Sequence, residues 1–87
     1  MDLREVFAAN LRRLRGEKGL AQDDLAYEAG VSRSYLSQLE KGAFYASLKI
    51  VGKLAVALGV EPEELLRATV RKGASSKSAD GRGPIRS

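Results

Sequence analysis

Within residues 22–41, QDDLAYEAGVSRSYLSQLEK, the placing of large and small apolar side chains constrains the chain more than any other feature. Leu25, Ala29, Val31, Leu36 and Leu39 fall where they must bury between two short helices that meet at an angle. Ala26 stands where a larger side chain would push those helices apart. Gly30 can take the positive φ that a sharp turn demands. Ser32 is a good N-cap for the helix that follows, and no proline interrupts either helix. Together these spacings satisfy a helix-turn-helix.

The flanking segments carry helical periodicity as well. Asp2, with Glu5 three residues on, predicts a first helix, and Leu3, Val6, Phe7, Leu11 and Leu14 predict its buried stripe. Gly16 and Gly19 predict its fraying end. The second helix is expected over Gln22 to Ala29 and the third from Ser32 to about Lys41. Ser47 predicts the cap of a fourth helix that turns Leu48, Val51, Leu54, Ala55 and Leu58 inward and stops at Gly59. Pro62, followed by Glu63 and Glu64, suits the start of a fifth. The expected fold class is all-α: a compact five-helix domain over residues 1–71. From residue 72 the sequence becomes KGASSKSADGRGPIRS, which cannot bury enough apolar surface to offset ordering entropy, so 72–87 is expected to be a disordered basic tail.

The residue inventory excludes much. With no cysteine and no histidine there is no thiol nucleophile, no thiolate zinc site and no ready acid–base group near neutral pH. Neither an enzyme nor a cofactor, metal or small-molecule site is expected. No apolar run approaches the roughly 20 residues that cross a bilayer, and the N-terminus lacks the order of a signal peptide. A cytoplasmic protein without membrane association is expected.

The net charge of +4 is misleading, because residues 1–66 hold nine Lys/Arg against ten Asp/Glu, and the basic excess lies beyond them. A nucleic-acid argument must therefore rest on where charges sit. With its apolar residues inward, the third helix must expose Arg33, Ser34, Ser37 and Gln38 and, one turn on, Lys41, a face without an acid of its own. Arginine can bridge guanine O6 and N7, glutamine can bridge adenine N6 and N7, and serine can serve either base.

On LRRLRGEKGLAQDDLAYEAGVSRSYLSQLEKG and the following SLKIVGKLAVALGVEPEELL, the chain resembles the Xre/Cro-type phage-repressor family. The resemblance implies the lambda-repressor-like fold, operator binding and a homodimer on double-stranded DNA. It carries base contacts over to Arg33, Ser34, Ser37 and Gln38, and a phosphate contact to Gln22. Ser32, Lys41 and the backbone at Gly42 and Ala43 are further backbone-contact candidates. It also implies that Arg15 pairs with Glu40 in a structural role. DLAYEAGVSRSYLSQLEKG is most similar to restriction–modification controller proteins within the family, which puts Tyr35 along the backbone or groove edge; a packed aromatic with a wet hydroxyl is the other reading. Two departures stand out. Ala21 replaces the usual Ser/Thr before the glutamine, and the link after the third helix reads GAFYAS, where Phe44 and Tyr45 either plug the core edge or help a second subunit dock.

One such module makes too few base contacts to select a genomic site alone, so pairing is expected. Ile50 and Val56, off the core stripe of the fourth helix, and Val60, Leu66 and Val70, flanking the fifth, are the expected dimer interface. An antitoxin using the same fold for partner binding is the alternative function.

Overall fold

The computed structural model describes residues 2–68; the expected tail, and Val70 of the expected interface, lie outside the described residues. Five helices follow in order: α1 (Leu3–Lys18), α2 (Gln22–Ala29), α3 (Arg33–Glu40), α4 (Leu48–Leu58) and α5 (Pro62–Leu66). No strand occurs among the described residues. The helices start where local chemistry says they should. Carboxylate and hydroxyl side chains of Asp2, Ser32 and Ser47 accept from the backbone N–H groups of Arg4, Tyr35 and Ile50. α5 begins at Pro62, whose missing N–H is no loss in a first turn.

α1 runs through Gly16 and ends at Gly19, so only the second glycine terminates it. Gly16 is exposed and a Cβ there would meet nothing within 4 Å, so it adds only a propensity cost of about 1 kcal/mol relative to alanine. The burial of Leu14 two residues earlier outweighs that cost.

α1 packs against α3 and α5, and α4 packs against α2 and α5, which closes the bundle around one core. Leu11, Leu25, Leu36, Leu39, Leu54 and Leu65 are fully buried at its centre. Leu3 and Leu48, both expected inside, are instead 53% and 83% exposed. Each opens a helix, and no other element covers those ends. Leu48 shares a side of α4 with Ala55 but sits two turns before it. Val6 and Val31 are half-buried.

A polar member of the core escaped the sequence pattern. Asn10 is buried in α1; its Nδ2 donates to the carbonyls of Leu65 (2.9 Å) and Arg67 (2.8 Å), and its Oδ1 accepts from Arg13 (3.2 Å). It thereby satisfies carbonyls at the end of α5 that the short helix cannot satisfy itself.

Candidate nucleic-acid interface

The α2–α3 corner is fixed by its backbone. Gly30 has φ 72°, and the N–H groups of Gly30 and Val31 reach back to the carbonyls of Tyr27 and Ala26 at 3.1 and 2.9 Å. This left-handed cap turns the chain within two residues, so α3 leaves at an angle to α2. Leu36 and Leu39 are driven into the core, and the opposite side of α3 faces out. The five side chains expected there, Arg33, Ser34, Ser37, Gln38 and Lys41, line a single concave surface. Arg33, Ser34 and Lys41 are exposed; Ser37 and Gln38 are half-buried.

The expected acid-free surface needs one correction. α3 has no acid before Glu40, which is buried, but α2 delivers one to its edge. The Asp23 carboxylate lies 3.2 Å from Nε of Arg33, with both side chains mostly exposed.

Behind the surface, Glu40 holds three elements together. Its carboxylate is 4% exposed and accepts from Arg15 Nε (2.7 Å), Arg15 Nη2 (3.0 Å) and Gln22 Nε2 (3.0 Å). The remaining Arg15 amino group donates to the carbonyl of Leu20 at 2.9 Å, and Arg12 donates to the carbonyl of Glu40. The hydrogen bonds to Glu40 push the Arg15 guanidinium above its ordinary value. The structural Arg15–Glu40 pair implied by the resemblance is therefore present.

Gln22 is half-buried at the start of α2, and its amide is shared. One N–H goes to Glu40, which leaves the second free to point outward in a fixed orientation. Ala21 gives α2 no side-chain cap, so its first-turn N–H groups stay open to an outside acceptor.

Gly42 and Ala43 do not offer what was expected of them. Gly42 has φ 75°, and its N–H donates to Leu39 while that of Ala43 donates to Gln38, both at 3.1 Å. These bonds cap α3, and neither backbone donor remains for a phosphate. Lys41 keeps an exposed ammonium at the same place. Ser32 is the N-cap, and its hydroxyl oxygen is occupied by the Tyr35 N–H, although its own proton is free. The Tyr35 ring is half-buried against the core and stacked on Phe44 with ring centres 6.1 Å apart, which favours the packed-aromatic reading. Tyr45 lies outside that stack, with the Arg4 guanidinium 4.9 Å from its ring centre.

The expected interface residues separate into two sides. Ile50 and Val60 are half-buried against the core, whereas Val56 is 83% and Leu66 41% exposed. Ile50 and Val56 are six residues apart, hence about 120° around α4. Val56 lines a groove between α2 and α4 with Tyr27, Glu28 and Lys53.

Residues 11–65 match the family described as helix-turn-helix. The chain is 42% identical over 69 residues to an HTH-type transcriptional regulator of Sinorhizobium fredii, covering 79% of this chain and 90% of that protein. It is 36% identical over 69 residues to control protein C.BamHI of Bacillus amyloliquefaciens, covering 78% of this chain and 85% of the other. The crystal structure of the restriction-modification controller protein C.AhdI from Aeromonas hydrophila superposes with a TM-score of 0.69 at 45% identity, over 71% of this chain and 94% of that one.

Proposed function

The chain belongs to the helix-turn-helix family of transcriptional regulators, and from that premise we propose that it binds a near-palindromic operator as a homodimer and controls restriction–modification genes. One observation carries the DNA reading: Arg33, Ser34, Ser37, Gln38 and Lys41 share one concave surface on a helix held rigidly from behind. In this reading α3 enters the major groove, where Arg33 and Gln38 read purine edges and the two serines allow close approach. Gln22, Lys41 and the Ser32 hydroxyl meet the sugar–phosphate backbone and fix the register, while Tyr35 packs against the core and Phe44. Gly42 and Ala43 serve instead by ending α3.

A second copy doubles the readable sequence. Leu66 on α5 and the half-buried Ile50 and Val60 form the proposed pairing edge, and Val70, expected with them, lies outside the described residues. Val56, on the other side of α4, is left out of that edge. Glu61 and Glu63 are exposed there, and these charges suit a side turned away from phosphate. The restriction–modification assignment rests on the named controller relatives, which favour it over the antitoxin alternative.

Selection of bound duplexes from a random pool at roughly physiological salt tests the proposal, because nonspecific binding is weak there. The expected result is an enriched near-palindrome with half-site centres about 34 Å apart. A folded protein that enriches nothing would remove the operator-binding reading, and an enriched single half-site would remove the dimer.

A further inference from the structure

The carboxylate beside Arg33 is the feature of the reading surface that its function least requires. Acids repel phosphate, and α2 presents two, Asp23 and Asp24, in the first turn next to Gln22. Asp24 has no ion pair among the described residues. Asp23 approaches Arg33 from the Nε side at 3.2 Å. The terminal amino groups of Arg33 make no hydrogen bond to protein among the described residues, and the guanidinium is a planar fork. With a carboxylate at its inner edge, the fork's outer edge is the one left for a ligand, and that edge carries the parallel donors guanine O6 and N7 accept.

We propose that Asp23 is a positioning residue for base reading: it holds Arg33 with its terminal amino groups directed at a guanine, and it disfavours the swing of that side chain onto a phosphate. This rests on the DNA reading of α3 given above. The pair is 65% and 75% exposed, so it adds little to the stability of the free protein. Its effect appears on binding. Docking removes water from around the two charges, which strengthens their attraction and the repulsion between Asp23 and nearby phosphates. At a wrong sequence Arg33 lacks its guanine while Asp23 still opposes the backbone, so the carboxylate lowers nonspecific affinity more than specific affinity.

The test compares wild type, Asp23→Ala, Arg33→Ala and the double variant in duplex selection and in competition between the selected site and a scrambled duplex. Alanine is preferred to asparagine because an amide could itself read adenine. Asp23 is exposed, so its loss leaves the fold intact. Asp23→Ala should tighten binding to the scrambled duplex and flatten the same base position that Arg33→Ala flattens. The ratio of specific to nonspecific affinity should fall about three- to fivefold, the size an exposed pair permits. At that position the double variant should match Arg33→Ala alone. An unchanged profile in Asp23→Ala overturns the role, as does flattening at a different base pair, which would make Asp23 a base reader itself. A wild-type chain that selects no sequence overturns the DNA reading of α3 and the role of Asp23 with it.

Discussion

Arg15 on α1 and Glu40 at the end of α3 meet through two parallel hydrogen bonds of 2.7 and 3.0 Å, and the carboxylate is 4% exposed. A fork-to-carboxylate pair of this kind fixes direction as well as distance. Arg15→Ala would strand a buried carboxylate with only Gln22 as side-chain partner and should destabilise the fold by about 3 kcal/mol. Arg15→Lys keeps the charge without the fork and should fall between. Urea unfolding monitored by circular dichroism measures both.

Asn10 gives a second stability prediction. Asn10→Leu removes the donor shared by the Leu65 and Arg67 carbonyls. The expected loss is about 1–3 kcal/mol, with amide exchange rising first in α5, which that side chain ties to α1.

Gln22 and Arg33 should fail differently on DNA. Arg33→Ala should cost about 1–3 kcal/mol and relax one base pair. Gln22→Ala should weaken binding evenly across sequences, because phosphate carries no base identity. It should also cost about 1 kcal/mol of stability through the lost bond to Glu40. Competition binding on a panel of single-base operator variants separates the two.

The pairing edge is tested by Leu66→Glu. Leu66 is 41% exposed, so the fold should survive; under the proposed pairing, sedimentation should show wild type as a dimer and Leu66→Glu as a monomer at the same concentration. Operator affinity should drop with it, since two half-sites would no longer be read together.

Acid sensitivity has a local source in Asp2. The side-chain and backbone hydrogen bonds from Arg4 hold its carboxyl below the ordinary value of 3.8. In that window the unfolded chain binds the proton more readily. The contribution of Asp2 is therefore fully present above pH 3.8 and is lost as pH falls through the lower folded value. Asp2→Asn should remove that part of the acid dependence, read by NMR titration and by acid unfolding of the two proteins.

Much of this molecule can be read from local chemistry. The starts of α1, α3, α4 and α5 announce themselves in Asp2, Ser32, Ser47 and Pro62, and Gly30 announces the corner, because caps and turns act over a few residues. The family resemblance carried by residues 11–42 and 47–66 holds in the matched span 11–65. The five side chains of the reading surface follow from the 3.6-residue period once Leu36 and Leu39 are inside.

What the pattern missed depends on the third dimension. Periodicity tells which side of a helix is apolar but not where the neighbouring helix ends, so Leu3 and Leu48 were expected inside. Asp23 meets Arg33 only because the corner folds α2 beside α3. Asn10 reads as an interruption of an apolar stripe until its carbonyl partners, 55 and 57 residues away, are brought to it. The backbone donors of Gly42 and Ala43, expected as phosphate contacts, are taken up by the cap that ends α3, which forms only once that helix is in place.

The circumference of α3 keeps two duties apart. Leu36, Leu39 and Glu40 anchor it, whereas the side chains of Arg33, Ser34, Ser37 and Gln38 bond no core group among the described residues. Under the proposed function, substitutions at those four positions alter the sequence being read while the frame stays intact. A lineage built on this scaffold can drift from one cognate site to another through folded intermediates, and the same freedom makes the four positions a natural library for retargeting in the laboratory.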